Sequence, residues 1–136
     1  MEVSIVIPIE IIEDSIIVWG QVRRENGPMN GMFEFPGGKI EEGENSLDAA
    51  IREFSEEVGF AITDVELFTQ YAHDYADRSV NLFVYVTNYT KKMGLIAQKI
   101  SFENAKNEVD NLNIPQANRV IIMRLVEHCI RENENE

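Results

Sequence analysis

A mixed α and β fold is predicted for this 136-residue chain by three features of its sequence. Apolar residues alternate with polar ones near the start, helical spacing takes over further on, and no linker of low complexity intervenes. Val3, Ile5, Ile7 and Ile9 alternate, and "IIVWGQV" follows after "EDS", which predicts two strands joined by a tight turn at Glu13-Asp14. "RRENGPMNGM" is a loop by its Gly, Pro and Asn content, "FEF" a short extended stretch, and "PGGKIEEGEN" a second loop. From Ser46 the period changes. Leu47, Ala50, Ile51, Phe54 and Val58 fall at helical spacing, with Ser46 or Asn45 as N-cap and Gly59 placed to end the helix. "VELFTQYAHDY" and "SVNLFVYVTNY" are β-branched and aromatic, hence strands, joined at "ADR". "SFENAKNEVDNL" predicts a short helix. "IPQANRVIIMRLVEHCI" predicts a longer one behind Pro115, with Ile121, Leu125 and Cys129 along one stripe. The expected organisation is α/β (α+β), one domain over residues 1–131 and an acidic polar tail over 132–136.

With 44% hydrophobic and 9% aromatic residues the chain has the material for a core. Twenty-four acidic against twelve basic side chains give a formal charge of −12, and the bases are scattered singly or in pairs such as Arg23-Arg24 and Lys91-Lys92. Polymeric nucleic acid needs a basic face and is not an expected partner. A nucleotide remains accessible to an acidic protein when a divalent cation stands between carboxylates and phosphates. Cys129 has no second cysteine to pair with, which fits a reducing compartment. "MEVSIVIPIE" carries an early acid and a proline within its apolar run, unlike a signal peptide or a membrane span. The expectation is a soluble, cytoplasmic protein with no membrane partner.

Acidic residues crowd positions 41 to 57, where self-repulsion opposes a compact state. On a helix over 46–58, Glu53, Glu56 and Glu57 stand at i, i+3 and i+4, on one face opposite the apolar stripe. The only base inside that helix is Arg52, which can reach Glu56. Hard oxygen ligands at this range suit Mg²⁺ or Mn²⁺, and Gly37-Gly38 leaves backbone carbonyls unobstructed beside the helix face. An isolated E-x-x-E-E is far more often a solvated helix face.

The surrounding pattern is more specific. Gly38, five residues, Glu44, seven residues, Arg52-Glu53, an apolar residue, any residue, Glu56-Glu57, any residue, Gly59 and an apolar residue together resemble the Nudix box at every fixed position. Phe54 and Phe60 fill the two apolar places with bulkier groups than usual. The resemblance implies a mixed β-sheet sandwiched between helices and hydrolysis of a nucleoside diphosphate linked to some other group, using water and a divalent metal. It further implies that Glu53, Glu56, Glu57 and the Gly37 carbonyl hold the metal, that Glu53 is also the general base, that Arg52 orients the glutamates and that Glu44 braces the loop.

"EFPGGKIE", the "DR" at Asp77-Arg78 before "SVNLFVYV", and "PQAN" at 115–118 are similar to the MutT-type subgroup, which converts 8-oxo-dGTP to its monophosphate and pyrophosphate. That similarity implies a purine-reading amide at Asn118 and an arginine near base and phosphate at Arg23, or at Arg24 after a one-residue shift. It puts Phe35, Asp77 and Arg78 around the nucleoside, with Gly38 and Lys39 also against the substrate. Structural alternatives stand beside these roles: core packing for Phe35, a helix cap for Asn118 and a hairpin turn for Asp77-Arg78. One departure concerns the acidic residue that the subgroup often carries in the loop before the late helices, where this chain offers Gln98, Ala97 or Ile96. Pyrimidine deoxynucleotides, ADP-ribose and dinucleoside polyphosphates are alternative substrates under the same box. A catalytically retired regulator usually loses box glutamates, and this chain retains all of them. Monomers and homodimers are both common in the family. His73 and His128 lack a third ligand for zinc, Trp19 and Cys129 fit packing, and the acidic loop lacks the Asp/Asn alternation of an EF-hand.

Overall fold

The β-branched start of the chain forms β1 (Glu2–Ile12), followed across a two-residue turn by β2 (Ser15–Val22), paired antiparallel from Ile9↔Val18 to Ile12↔Ser15. Glu13 takes a φ of 31°, the positive value that so short a hairpin connection favours. The computed structural model describes residues 1–24 and 26–134. Two compact units divide the chain, Met1–Pro8 with Phe35–Leu95, and Ile9–Glu34 with the chain from Ile96 onward.

In the first unit, β4 (Gly37–Lys39) pairs antiparallel with β1 through Val3↔Lys39, Ser4↔Gly38 and Ile5↔Gly37. The glycine pair, expected in a loop, is therefore a strand. A Cβ at Gly37 would stand 2.3 Å from the Ser4 carbonyl oxygen, so glycine serves close backbone approach here instead of a turn. β5 (Glu66–Asp74) and β6 (Ser79–Asn88) make an antiparallel hairpin ending at Asp74↔Ser79. The Met1 amino group donates to Ser79 O at 3.3 Å and Asn81 N donates to Met1 O at 2.8 Å, the bracketing pattern of parallel neighbours. The sheet is thus mixed, as expected.

Helix α1 (Ser46–Val58) matches its predicted bounds. Of the two cap candidates Asn45 is the cap, its side chain accepting from Asp48 N, and Gly59 closes the helix at a φ of 76°. Ala50 and Phe54 of α1 pack against Val6, Ile62, Tyr85 and Met93, the last carried on a single 3₁₀ turn at Lys91–Met93.

Beyond α1, Asp64 fastens the chain to the end of β6, accepting from Thr87 Oγ1 at 2.8 Å, Asn88 N at 3.2 Å and Asn88 Nδ2 at 2.7 Å. Burial pushes its carboxyl pKa up, but the hydrogen bonds from Thr87, Asn88 and its own amide outweigh this and hold it below the usual aspartate value. A depressed folded-state pKa stabilises the fold above the unfolded value and is lost as pH falls through the folded one. Asp64→Asn should therefore flatten the acid limb of stability below about pH 4. At neutral pH Asp64→Ala should cost about 1 kcal/mol, and urea midpoints measured across pH check both.

In the second unit, β2 pairs with β3 (Phe33–Glu34) and with β7 (Ile96–Ser101), the latter from Ser15↔Ser101 to Gly20↔Ile96. Strand β7 is absent from the sequence reading. "IAQKIS" places weak strand formers between its isoleucines, and Ile96 is 48% exposed while only Ile100 is buried. The loop position assigned to Gln98, Ala97 or Ile96 is corrected accordingly: they lie in β7 opposite Val18, Trp19 and Gly20, held by the ladder. Helix α2 (Ala105–Asp110) packs on β7 and on α3 (Gln116–Glu134). Helix α3 buries Ile122 and Val126 beside the expected stripe and continues to Glu134, into the segment read as tail; residues 135–136 lie outside those described. Burial, with the Glu132 charge, raises the Cys129 thiol pKa. Among the described residues no helix is long and apolar enough to cross a membrane.

Candidate metal and phosphate site

Arg52 gathers the acidic residues of the first unit around one planar fork. Its Nε and Nη2 donate to the two oxygens of Glu44 at 2.8 and 3.0 Å, a two-point contact that a lysine could not make. Nη1 donates to Glu53 Oε1 at 2.9 Å and faces Glu56 Oε2 at 3.3 Å, while Nη2 also reaches the Lys39 carbonyl at 3.1 Å. Helical spacing offers Arg52–Glu56 alone; the contacts to Glu44, to the Lys39 carbonyl and to Glu41 Oε1 at 3.7 Å arise only when β4 folds beside α1. Glu41 is a member of the cluster that motif spacing did not single out, and the acid crowding around it was the available signal. Hydrogen bonding from Arg52, then from the Glu41 amide, holds the Glu44 carboxyl below the usual glutamate range. Hydrogen bonds to Glu44 and Glu53, helped by the Glu41 charge, raise the Arg52 pKa further above its ordinary value.

Glu53 occupies the place a side chain would take at Gly38. A Cβ there would lie 2.4 Å from Glu53 Cδ and 2.6 Å from both carboxylate oxygens. Glu57 Oε2 accepts from Gly37 N at 3.3 Å, and Glu56 is 60% exposed. The ladder alternates. Val6 N donates to Pro36 O at 2.9 Å and Ile40 N to Glu2 O at 3.0 Å, so Gly37 and Lys39 turn their N–H and C=O away from β1, the side from which Glu57 and Arg52 reach them. The Gly37 carbonyl is offered on that side too.

Among the described residues, no three His, Cys, Asp or Glu side chains lie close enough to enclose a cation. The three helix carboxylates instead take separate positions, Glu53 on Arg52, Glu57 on Gly37 N and Glu56 outward, which relieves their mutual repulsion. The donor chemistry nonetheless fits a hard divalent ion: carboxylate and carbonyl oxygens only, on one helix face and the strand beside it.

Ser4 ties this strand to this helix. It is fully buried, its backbone pairs with Gly38, and its Oγ donates to the Ser46 carbonyl at 2.7 Å, while Ser46 Oγ lies 2.6 Å from the buried Tyr85 hydroxyl.

The other sequence candidates are more dispersed. Phe35 is buried in the first unit. Asp77 and Arg78 form the predicted hairpin turn, where Tyr75 N donates to Arg78 O at 2.7 Å and the Arg78 guanidinium stands 5.0 Å from the Tyr75 ring centre. In the second unit, Arg23 Nη2 pairs with Glu34 Oε2 at 2.9 Å and Nη1 faces Met29 Sδ, whereas Arg24 is exposed. Asn118 lies inside the first turn of α3, so it is not the cap.

Comparison with known proteins follows the same lines. The NUDIX domain pattern matches residues 9–119. An 8-oxo-dGTP diphosphatase of Proteus vulgaris is 41% identical over 66 residues, 48% of this chain and 59% of that one. One of Haemophilus influenzae is 32% identical over 96 residues, 69% of this chain and 70% of that one. The match to the Proteus relative thus spans less than two thirds of its length. The MutT NUDIX hydrolase of Burkholderia pseudomallei shares the fold, with a TM-score of 0.62 at 18% identity over 90% of this chain and 95% of that one. With the box residues gathered on one glycine strand, one helix and the loop between them, and the family pattern running through residues 9–119, this chain belongs to the NUDIX domain family.

Proposed function

We propose that this chain is a divalent-cation-dependent hydrolase that cleaves a nucleoside triphosphate, foremost 8-oxo-dGTP, to the monophosphate and pyrophosphate. The observation that carries it is the seating of the Glu53 carboxylate against Gly38, held there by an arginine that Glu44 fixes at two points. The substrate names of the curated relatives support the nucleotide class.

Glu53, Glu56, Glu57 and the Gly37 carbonyl would hold Mg²⁺ or Mn²⁺, which when bound neutralises polyphosphate charge and acidifies water. Glu53 takes the proton from the attacking water. Arg52 keeps that carboxylate aimed, and Glu44 keeps Arg52 from swinging. Gly38 leaves room for the Glu53 carboxylate beside the substrate, and Lys39 adds a positive charge at the edge. Phe35, Asp77 and Arg78 border the nucleoside; Arg23 and Asn118 recognise the base, the amide donating and accepting at once.

The test is a panel of 8-oxo-dGTP, ordinary dNTPs and NTPs, ADP-ribose and dinucleoside polyphosphates, incubated with Mg²⁺ and followed for pyrophosphate and monophosphate. A strong preference for 8-oxo-dGTP is expected. Activity confined to another member discards the oxidised-purine assignment, and silence throughout discards the hydrolase. Two variants refine it. Gly38→Ala should lower kcat about 10²-fold with the fold retained, because the new methyl displaces Glu53 from its seat. Asn118→Ala should weaken purine substrates selectively, and equal loss for every base would remove it from base recognition.

A further inference from the structure

Arg119 lies in the first turn of α3, the positive end of the helix dipole, and that turn contains no acidic residue. Its two hydrogen bonds go to neutral acceptors, Nη1 to Gln116 Oε1 at 3.1 Å and Nη2 to the Leu112 carbonyl at 2.8 Å. Its Nε is buried without a hydrogen-bond partner. A half-buried cation with no carboxylate bonded to it is costly anywhere, and unexpected in a chain with twice as many acids as bases. A cleft of about 620 Å³ opens beside it, between α2 and α3. Arg124 also lines it, and Val120 and Met123 supply apolar surface. Of the two acids there, Asp110 is paired with Lys106 at 3.0 Å, and Glu127 stands eight residues beyond Arg119, about 12 Å along the helix. The Arg119 end is therefore the positive end of the cleft. Asn118 is not among the residues that line it.

We propose that this cleft binds a phosphoryl group carried by a small molecule of up to nucleotide size, at a site separate from the Nudix box. The phosphoryl oxygens lie toward Arg119 and Arg124, where they give the Arg119 charge an anionic partner and offset the helix end, while Val120 and Met123 accept a planar apolar portion.

The test uses metal-free full-length protein, in which the box carboxylates present only negative charge, titrated calorimetrically with pyrophosphate and with AMP. The Arg119 Nε–H resonance is followed in parallel. Saturable binding with a shift of that resonance is expected. Arg119→Met and, separately, Arg124→Met should each weaken it about tenfold. The second arginine variant serves because Arg119→Met also releases the Leu112 carbonyl. Tighter AMP than pyrophosphate identifies a nucleotide as ligand, and equal affinity a free phosphoryl anion; either supports the site. Absence of saturable binding at millimolar concentrations, or binding that survives both arginine variants, overturns it. No hydrolysis is read, so failure of the hydrolase assignment leaves this outcome untouched.

Discussion

Glu53→Gln loses turnover by about 10²- to 10⁴-fold, the range a positioned general base supplies, while nucleotide binding persists. Glutamine is nearly isosteric, so it fits the space at Gly38 and can still accept from Arg52 Nη1, a contact of 2.9 Å in the native protein. What it cannot do is take a proton from water. The loss should accordingly fall on kcat, with KM little changed, and a non-hydrolysable nucleotide should still bind. Because the same carboxylate is a proposed metal ligand, a Mn²⁺ titration without nucleotide separates the two roles. Weakened Mn²⁺ binding with turnover restored at saturating metal would make Glu53 a ligand only. Unchanged kcat would move the base to another carboxylate on the helix.

Phe54→Ala should destabilise the fold by about 3–5 kcal/mol, a large part of the 5–15 kcal/mol typical of a folded domain. The ring is fully buried and touches the cluster that joins α1 to Val6, Ile62 and Tyr85. Phenylalanine occupies a place that the family usually gives to an aliphatic, so the cavity left by alanine is correspondingly large. Phe54→Leu should cost much less, about 1–2 kcal/mol, since leucine refills most of the space. Urea denaturation of the three proteins checks the order. A cost below about 1 kcal/mol for alanine would mean that this face does not anchor α1.

Helix α1 was legible to the residue because its signals are local: Asn45 caps one end, Gly59 the other, and the apolar period runs between them. Strand β4 was not, because a glycine pair looks the same in sequence whether it turns the chain or lets two backbones touch. Strand β7 owes its existence to its partner β2, and nothing in "IAQKIS" alone requires pairing. The site divides in the same way. Spacing put three glutamates on one helix face, but the two-point grip of Arg52 on Glu44 depends on where the intervening loop returns. Glu34, the partner of Arg23, opens the "EFPGGKIE" stretch, but nothing in that stretch pointed to an ion pair with a residue eleven positions earlier.

Ser4 takes part in no chemistry, yet it is the common origin from which the glycine strand and the carboxylate helix are both measured. A slip of one residue between β1 and β4 would carry Gly38 about 3.3 Å along the ladder, farther than any hydrogen bond at Glu53 tolerates. Substitutions or fusions that disturb residues 2–6 would thus behave in an assay like damage to the box itself, and the first strand is the alignment gauge of the proposed reaction centre, whose named groups lie elsewhere in the chain.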